Sequence, residues 1–542
     1  MKIKIKIYLL LAGVLSIGLS SCSKYLDTQP YSFNTVDKLH TSAQGAELGI
    51  TGCYNALNAE AVQGGAWAGT FVATTPIMLN GGTDEVVLRD GLLDPNWAPF
   101  GNATFTVQNP KLKDEWFVLF AGINRTNYLL EKINDVDMSE DRKTEIIGEA
   151  HFLRGFYYFY LAVEFGGLPI FTNSNHDPDM QRESIEDVYN LIISDLTIAY
   201  ETLPNRASKL GRADKWSAGG YLSKIYTYLA SCKANNVGED LGFSLNSFAW
   251  VNSGEMYNKA KVITDDIINN SGFTLTEHYD YLFRETTEQA KAEESLFSLL
   301  GSKNVSAGNL NLTLFWQIPV GAPGAGGGYG WLRPVGELFY KYDSTDLRRT
   351  HNITQALFTD NPTETVEGVT YYIPIPCTDP LQIDLCVGKY RYRSAAEKGI
   401  SNAWSDGNIS LLRFADILLL NAEALYFTGD EAGARARLRE VRTRIAADGT
   451  HLDLLTSNYY NADFQTELLD SRSRELCFEG WRRIDLVRFG IIDETIAGLS
   501  DDMGTWNVIV PVLQANWAHH KMWFPIPLSE IELSPIEQNP GY

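Results

Sequence analysis

The segment HFLRGFYYFYLAVEFGGLP, residues 151–169, decides the fold of this chain, because six aromatic residues fall in the nine positions from Phe152 to Tyr160. An aromatic run of this kind has three possible interpretations: a membrane-spanning helix, a ligand-binding surface or a helix packed in the core. Arg154 and Glu164 bracket only nine uncharged residues, whereas about 20 are needed to cross a bilayer. The apolar residues recur at helical spacing, and a regular helix offers its side chains to neighbouring helices first. The pattern therefore predicts a core helix that is buried nearly all round and that ends at Gly166.

Amphipathic segments of similar length recur in pairs on both sides of this run. Small residues such as Ala218 and Gly219 stand where two helices must approach closely. The segments are 113–134 with a helix that Ser139 begins, 184–203 with 213–232, 256–269 with no clear partner, and 408–429 with 430–445. Pairs of this kind resemble tetratricopeptide repeats, although these are divergent. The sequence thus predicts a mostly α-helical fold of divergent tetratricopeptide-type helix pairs.

Two long stretches, 61–112 and 270–407, break the helical pattern. They are rich in Gly, Pro, Asn, Thr and aromatic residues, with short apolar runs and turn dipeptides. Long irregular loops on a rigid scaffold are where binding sites usually lie. We therefore expect a helical scaffold over approximately 35–60, 113–269 and 408–490, minor short strands, and ligand-binding loops in the two irregular stretches.

The first 22 residues have the composition of an export signal. MKIKIKI is basic, YLLLAGVLSIGL is apolar but too short for a permanent span, and LSSC places small residues before Cys22. This looks like a bacterial lipoprotein signal, in which residues 1–21 are removed and Cys22 is acylated; the alternative is an ordinary signal peptide with an incidental cysteine. Acyl chains would anchor the protein permanently, because each buried methylene contributes about 0.8 kcal/mol. Residues 22–542 are then expected to form a single soluble domain on a lipid tether.

Charge and cysteine content narrow the function classes. A formal net charge of −22 at pH 7 argues against nucleic acid or anionic lipid as a partner. The cysteines form no C-x-x-C pair and the histidines form no H-E-x-x-H motif, which argues against a zinc site. No metal site and no cofactor are assigned from the sequence, and whether a loop binds another metal ion stays open. Cys377 and Cys386 flank the turn-like stretch TDPLQIDL. In an oxidising compartment they either close a loop worth about 2 to 3 kcal/mol or stay free thiols.

Five blocks of the sequence together resemble one family. EAHFLRGFYYFYLAVEFGGLPIF is similar to the most characteristic block of the SusD/RagB family of surface-exposed lipoproteins, which capture nutrients, usually glycans, for an outer-membrane transporter. The other blocks are GRADKWSAGGYLSKIYTYLA, NISLLRFADILLLNAEALYFTGD, RSRELCFEGWRRIDLVRFG and the terminal FPIPLSEIELSPIEQNPGY, and CSKYLDTQP resembles the family's start. The resemblance extends from Cys22 to Tyr542 in the expected order and implies a SusD-like fold.

The resemblance also implies a function. It implies a non-catalytic lipoprotein that binds an oligosaccharide or polysaccharide and delivers it to a TonB-dependent SusC-like transporter. The protein would be lipid-anchored in the outer membrane and would face the cell exterior. Two alternatives stay open: a peptide-binding RagB-type member of the family, and a surface glycoside hydrolase, which needs only two carboxylates. Against the hydrolase, no carboxylate pair lies in a recognisable catalytic frame and no G-x-S-x-G motif occurs.

The block RSRELCFEGWRRIDLVRFG carries many charges close to apolar residues. Glu479 and Arg483 stand four positions apart, as on one helical face. The charges nearly balance and are interleaved with anchors such as Trp481. We therefore predict an ion-pair network that clamps the last helices onto the scaffold rather than an anion site.

A carbohydrate ligand would need flat aromatic rings against the apolar faces of its sugars, with a few polar groups for the hydroxyls. Candidates lie on the two irregular stretches, which resemble the segments that build the family's binding face. They are Trp67, Trp97, Asp84, Arg89 and Asn102 in the first stretch, and Trp316, Tyr329, Trp331 and Trp404 in the second. Trp331, Tyr329 and Trp97 are the leading candidates, although large rings on loops are packed as often as exposed. Replacing Trp331 or Trp97 by Ala is expected to leave the fold intact and to abolish binding.

The glycine-rich stretch WQIPVGAPGAGGGYGW, residues 316–331, does not fit a phosphate-binding loop. No G-x-G-x-x-G register fits it, no G-x-x-x-x-G-K-[ST] motif follows, and no βαβ frame surrounds it. We expect its glycines to let a loop bend tightly beside the aromatic rings.

Overall fold

The computed structural model describes residues 41–57, 71–88, 96–175, 180–303, 318–379, 385–399, 404–445, 461–500 and 509–542. The signal segment with Cys22 and the candidates Trp67, Arg89 and Trp316 lie outside these residues. The helices are α1 (Ala43–Tyr54), α2 (Phe71–Asn80), α3 (Ala98–Asn102), α4 (Pro110–Lys132), α5 (Glu140–Phe165), α6 (Ile185–Thr202), α7 (Lys215–Ala234), α8 (Ser253–Asn270), α9 (Glu288–Glu294), α10 (Gly336–Tyr340), α11 (Leu347–Asn352), α12 (Ala395–Lys398), α13 (Phe414–Phe427), α14 (Glu431–Thr443), α15 (Phe464–Leu476), α16 (Arg482–Arg488), α17 (Ile492–Ala497), α18 (Ile509–Asn516) and α19 (Leu528–Leu533).

The strands are short. They are β1 (Val86–Leu88), β2 (Ser295–Leu299), β3 (Leu332–Pro334), β4 (Ile353–Thr354), β5 (Thr363–Val366), β6 (Val369–Tyr372), β7 (Cys386–Val387) and β8 (Ile409–Arg413). In the described part they form antiparallel pairs: β1 with β3, β2 with β8, β4 with β7 and β5 with β6. The predicted fold class, helical with minor strands, is confirmed.

Helix α5 carries the aromatic run and is the centre of the core. Every residue from Phe152 to Phe165 is buried, so the predicted core helix is confirmed. The helix ends where Gly166 adopts φ +84°, a conformation that side chains other than glycine rarely take. Ser139 occupies the N-cap position, although its side chain makes no capping bond. Within the described ranges, no helix combines the length and the apolar character that a membrane crossing requires.

The helices pack in successive pairs. Helix α4 packs against α5 and α6 against α7, as the sequence predicts, and α5 also packs against α6. Helix α8, for which the sequence showed no clear partner, packs against α7 and also against α13. Residues 271–413 are therefore an insertion between two helices that pack against each other. This insertion contains nearly the whole second irregular stretch.

One predicted helix begins later than expected. Residues 409–413 form strand β8 and pair with β2, whereas the sequence predicted helix from residue 408. The strand is short because Phe414 starts α13 directly after it. Its apolar residues fit either structure, and the pairing with a segment more than a hundred residues away selects the strand.

The predicted ion-pair network is present and is buried. Arg413 bonds Glu294, Glu475 and Glu479 at 2.6–3.0 Å, and Lys389 Nζ lies 2.6 Å from Glu479. The pairing within the block differs from the expectation, because α15 ends at Leu476 and α16 begins at Arg482. Glu479 and Arg483 are therefore not on one helix. Arg483 donates instead to the backbone carbonyl of Lys521, and its guanidinium stacks on aromatic rings.

Candidate ligand-binding site

Strands β1 and β3 bring the two irregular stretches together. Val86 lies opposite Pro334 and Leu88 opposite Leu332 in an antiparallel pair. One stretch then leads into Trp97, directly before helix α3, and the other arrives at β3 through the glycine-rich loop. Rings from segments more than two hundred residues apart meet at this junction.

Three of the predicted rings form one contiguous cluster, which we call the ring cluster: Trp97, Trp331 and Tyr329. The Trp97 and Trp331 ring centroids are 4.8 Å apart and tilted by 55°. The Tyr329 ring lies 6.3 Å from Trp331 and is nearly parallel to it, at 20°. The two tryptophans are 0% and 1% exposed, whereas Tyr329 is half-buried. The expectation that both tryptophans face a ligand is thereby corrected: their faces are used for packing, and Tyr329 is the outer ring.

A lysine closes the inner end of the cluster. Lys111 Nζ lies 4.3 Å from the centroid of the Trp97 ring, and the residue is buried. It stands in the first turn of α4, which Asn109 caps by accepting a bond from the Lys111 backbone N–H. A cation over an indole face is favourable and leaves less of that face for a sugar. Sequence reasoning missed Lys111, since no local pattern links the start of α4 to a ring in the preceding loop.

The glycine-rich loop folds back on itself beside Tyr329. Gly328 donates to Pro319 and Gly321 donates to Gly328, so the two arms of the loop run side by side. A Cβ on Gly330, which has φ +52°, would lie 2.9 Å from Val320 Cβ. The close approach of the arms excludes larger residues there, and the predicted reason for the glycines is confirmed.

The polar candidates are engaged in the protein. Asp84 is buried and bonds Arg482 and Lys341, with its carboxylate 2.6 Å and 2.5 Å from their nitrogens. Burial raises the pKa of Asp84, but the two cations outweigh burial and hold that pKa well below its usual range. This corrects the expectation that Asp84 contacts a ligand, because the carboxylate is needed to balance buried charge. Asn102 is half-buried on α3, and its side-chain oxygen accepts from Thr104.

Trp404 is separate from the ring cluster. It is half-buried against the core, and within the described ranges no ring contact joins it to the other candidates.

The structure also decides between the two alternatives for the cysteine pair: Cys377 and Cys386 are both buried, free thiols. Cys377 Sγ–H donates to the carbonyl of Asp379, and Cys386 Sγ accepts from Arg333. Of the two alternatives for these cysteines, the structure has the free thiols.

Three cavities of about 310–350 Å³ lie elsewhere in the described part of the chain. One is lined by cationic residues of the loop between α6 and α7, including Arg206 and Lys209. A second is lined by residues of the large insertion, including Arg284 and Arg391. The third lies between the turn after α7 and His519. The ring cluster lines none of these three cavities.

Comparisons with known proteins agree with this structure. A family model described as starch-binding and associating with the outer membrane matches residues 79–227, and the SusD family model matches residues 382–542. SusD-like protein P38 of Formosa agariphila is 26% identical over 518 residues, which cover 91% of this chain and 94% of that protein. A crystal structure of a SusD homologue from Bacteroides thetaiotaomicron has a TM-score of 0.75 at 23% identity, over 94% of this chain and 99% of the other. Surface glycan-binding protein A of the same species, in complex with laminarihexaose, has a TM-score of 0.69 at 17% identity, over 92% and 100%.

The matched regions coincide with the sequence blocks. The aromatic run and the start of α7 fall inside the first matched region, and the three later blocks fall inside the second. Sequence blocks, helical architecture and both family models agree, and the chain belongs to the SusD/RagB family.

Proposed function

We propose that this protein is a non-catalytic glycan-binding lipoprotein of the cell surface, which captures oligosaccharides and passes them to a TonB-dependent SusC-like transporter. The observation that carries the proposal is the ring cluster at the β1–β3 junction, with the half-buried Tyr329 as its outer member. Membership of a family described as starch-binding supports a sugar as the ligand. A structural neighbour that binds laminarihexaose makes a β-glucan oligosaccharide the first ligand to test.

The geometry explains how one ring could bind a sugar. Tyr329 is held nearly parallel to Trp331, so little conformational entropy is lost when a pyranose stacks on its outer face. A stacked ring contributes about 1 to 2 kcal/mol, which is less than the roughly 4 kcal/mol of a millimolar affinity, so hydrogen bonds to the sugar hydroxyls must add to it and the net affinity is expected to be weak. Weak binding suits a protein that must release its ligand to a transporter.

The proposed location rests on the sequence. Cys22 is proposed to carry the acyl chains, with the folded body on the outer side of the outer membrane. The family description, association with the outer membrane, supports this placement.

The binding proposal is tested with a tyrosine variant and a matched control. Tyr329→Ala is expected to weaken laminarihexaose binding about five- to thirtyfold in isothermal titration calorimetry, which corresponds to the loss of about 1 to 2 kcal/mol. Tyr340→Ala removes a tyrosine that is 69% exposed and lies outside the ring cluster, and it is expected to leave binding unchanged. Equal affinities for wild type and Tyr329→Ala would refute the site.

The same samples test whether the protein is an enzyme. Incubation with a panel of polysaccharides, including laminarin and starch, is expected to release no reducing sugar above the background. Release that is abolished by replacing one carboxylate would replace the binding proposal by a glycoside hydrolase. A panel in which peptides bind and no glycan does would favour the RagB-type alternative.

A further inference from the structure

A cavity of about 310 Å³ in the large insertion has chemistry that the ring cluster lacks. It lies between the 3₁₀ turn Tyr279–Phe283, helix α11, the residues after β6 and the end of α14. Its lining contains charged and polar side chains together with aliphatic and proline side chains. The apolar lining residues are Leu347, Ile373, Pro374, Pro376 and Ile445.

The backbone places two arginines side by side in the cavity lining. Arg284 and Arg391 face each other in a parallel bridge, where Arg391 N–H donates to Phe283 and Glu285 N–H donates to Arg391. Both arginines are at least nine-tenths buried, and both line the cavity. Two guanidinium groups in this position repel each other unless anions compensate them.

Only one of the two arginines has carboxylate partners. Arg284 bonds Asp280 at 2.6 Å and also bonds Glu364. Arg391 is 6% exposed, and within the described ranges its guanidinium bonds only His351, through the backbone carbonyl at 3.0 Å and the ring Nδ1 at 3.4 Å. Its Nη1 is buried without a hydrogen-bond partner in that part of the chain.

Three carboxylates of the described residues line the cavity, but none is hydrogen-bonded to Arg391: Asp280 and Glu364 bond Arg284, and Glu277 is the third. Burial and then Arg284 lower the pKa of Arg391 to about 9, and the carboxylates of Asp280 and Glu364 offset this only through space. His351 lies in contact but is uncharged, since burial and Arg391 lower its pKa well below the usual value. Arg444, a third guanidinium on the cavity wall, is itself bound by Glu294 and Glu475.

A buried cation to which no carboxylate is bonded is costly, and a ligand carboxylate would supply that bond. The planar guanidinium fork matches a carboxylate with two parallel hydrogen bonds. The cavity volume lies at the lower end of small-ligand sites, and its apolar lining residues offer a surface for the C–H face of a ring. These features together select a small ring that carries a carboxylate.

We infer that this cavity is a second ligand site, in which Arg391 binds the carboxylate of a hexuronic acid residue and the wall of Pro374, Pro376 and Leu347 packs against the sugar ring. The choice of a sugar as carrier of the carboxylate rests on the proposed function, whereas the need for an anion rests on the cavity alone. Neutral glycans would be bound at Tyr329, and acidic residues of a glycan at Arg391.

The test compares methyl glucuronide with methyl glucoside and acetate as probes. Methyl glucuronide is expected to raise the thermal unfolding temperature of the wild-type protein, and methyl glucoside at the same concentration is not. Acetate, which has the carboxylate but no ring, is expected to raise it less than the glucuronide does. This comparison needs no variant, so it holds even if a substitution at Arg391 impairs folding. An equal shift with acetate, or no shift with the glucuronide, would overturn the assignment.

Variants then locate the effect. Arg391→Gln is expected to fold, because it removes a buried charge to which no carboxylate is bonded, and to weaken glucuronide binding at least tenfold. Arg391→Lys keeps the positive charge but lacks the planar guanidinium group, and it is also expected to weaken glucuronide binding. Arg206→Gln removes the same charge from a different cavity, where the guanidinium stacks on Phe273, and is expected to have no effect. Unchanged affinity in Arg391→Gln, or an equal loss in Arg206→Gln, would contradict the site.

Laminarihexaose binding separates this inference from the proposed function. If Tyr329→Ala lowers laminarihexaose affinity while no protein binds the glucuronide, only the second site fails. If the glucuronide binds through Arg391 and no neutral glycan binds at all, the proposed site at the ring cluster fails instead.

Discussion

Trp97 and Trp331 pack against each other with almost no exposed surface, so their contribution is to stability. Replacing either by Ala is expected to lower the free energy of unfolding by about 3 to 5 kcal/mol, because a large cavity is left in the core. Urea unfolding followed by circular dichroism measures the loss. Trp404→Ala, at a half-buried ring outside the cluster, is expected to cost less. Losses of under 1 kcal/mol in both cluster variants would show that the rings are not packed as described.

Residue types could be predicted from the sequence, but their exposure could not. The rings on the irregular stretches were identifiable, because Trp and Tyr stand out among Gly, Pro and Asn. Which ring faces outward depends on β1–β3 pairing and on Lys111, which approaches Trp97 from another element. Neither contact leaves a periodic signal in the sequence. The same limit applies to Asp84, whose partner Arg482 is about four hundred positions away.

Among the elements, strand β8 and helix α15 are joined by buried charge. Burial raises the pKa of Glu475, but Arg444, Arg413 and Arg348 outweigh burial and hold it well below its usual range. Arg413→Met would leave the carboxylates of Glu475 and Glu479 short of a partner. We expect this variant to lose about 3 to 5 kcal/mol of unfolding free energy, the usual cost of breaking a buried ion pair.

A surface pair provides the control for the Arg413 prediction. Lys259 and Glu255 lie one turn apart on α8, and their side chains are largely solvated. Lys259→Met is expected to change the free energy of unfolding by less than about 1 kcal/mol. Chemical denaturation of both variants under one buffer condition makes the comparison. Similar losses in the two variants would mean that the network around Arg413 contributes no more than a surface pair.

The element level was the most predictable from the sequence. Helices α4 to α7 follow the apolar periodicity, and their neighbours in the chain are their neighbours in space. The two features that the sequence did not predict, strand β8 and the partner of α8, have a common physical cause. Strand β8 pairs with β2, more than a hundred residues earlier in the insertion, and α8 packs with α13 across the whole insertion. Local periodicity carries no information about such distant partners.

On the scale of the whole molecule, the insertion holds residues that we propose to bind ligands, apart from the helix pairs of the scaffold. Residues 271–413 leave the scaffold after α8 and return at α13, and they carry both Tyr329 and Arg391. Because α8 and α13 pack against each other, the two ends of the insertion are fixed by the repeat scaffold. Ligand specificity can therefore change within the insertion without altering the helix pairs that hold it.

Buried carboxyl groups give the whole molecule a pH dependence of stability. Glu115 and Glu164 are fully buried, and burial raises the pKa of Glu115 to about 8 and that of Glu164 well above its usual value. The unfolded chain releases these protons near pH 4.5, whereas the native protein keeps them, so stability falls as pH rises from about 5 to 8. The slope is about 1.4 kcal/mol per pH unit for each retained proton.

Glu164→Gln tests this origin of the pH dependence. The variant has no proton to retain at this position, so its free energy of unfolding should fall less steeply between pH 5 and pH 8 than that of the wild type, by about 1.4 kcal/mol per pH unit. Urea unfolding at pH 5, 6, 7 and 8 gives both slopes. Glu201→Gln, at an exposed position on α6, should leave the slope unchanged. Parallel pH profiles for wild type and Glu164→Gln would mean that the native protein ionises this carboxyl, which the apolar core around α5 should prevent.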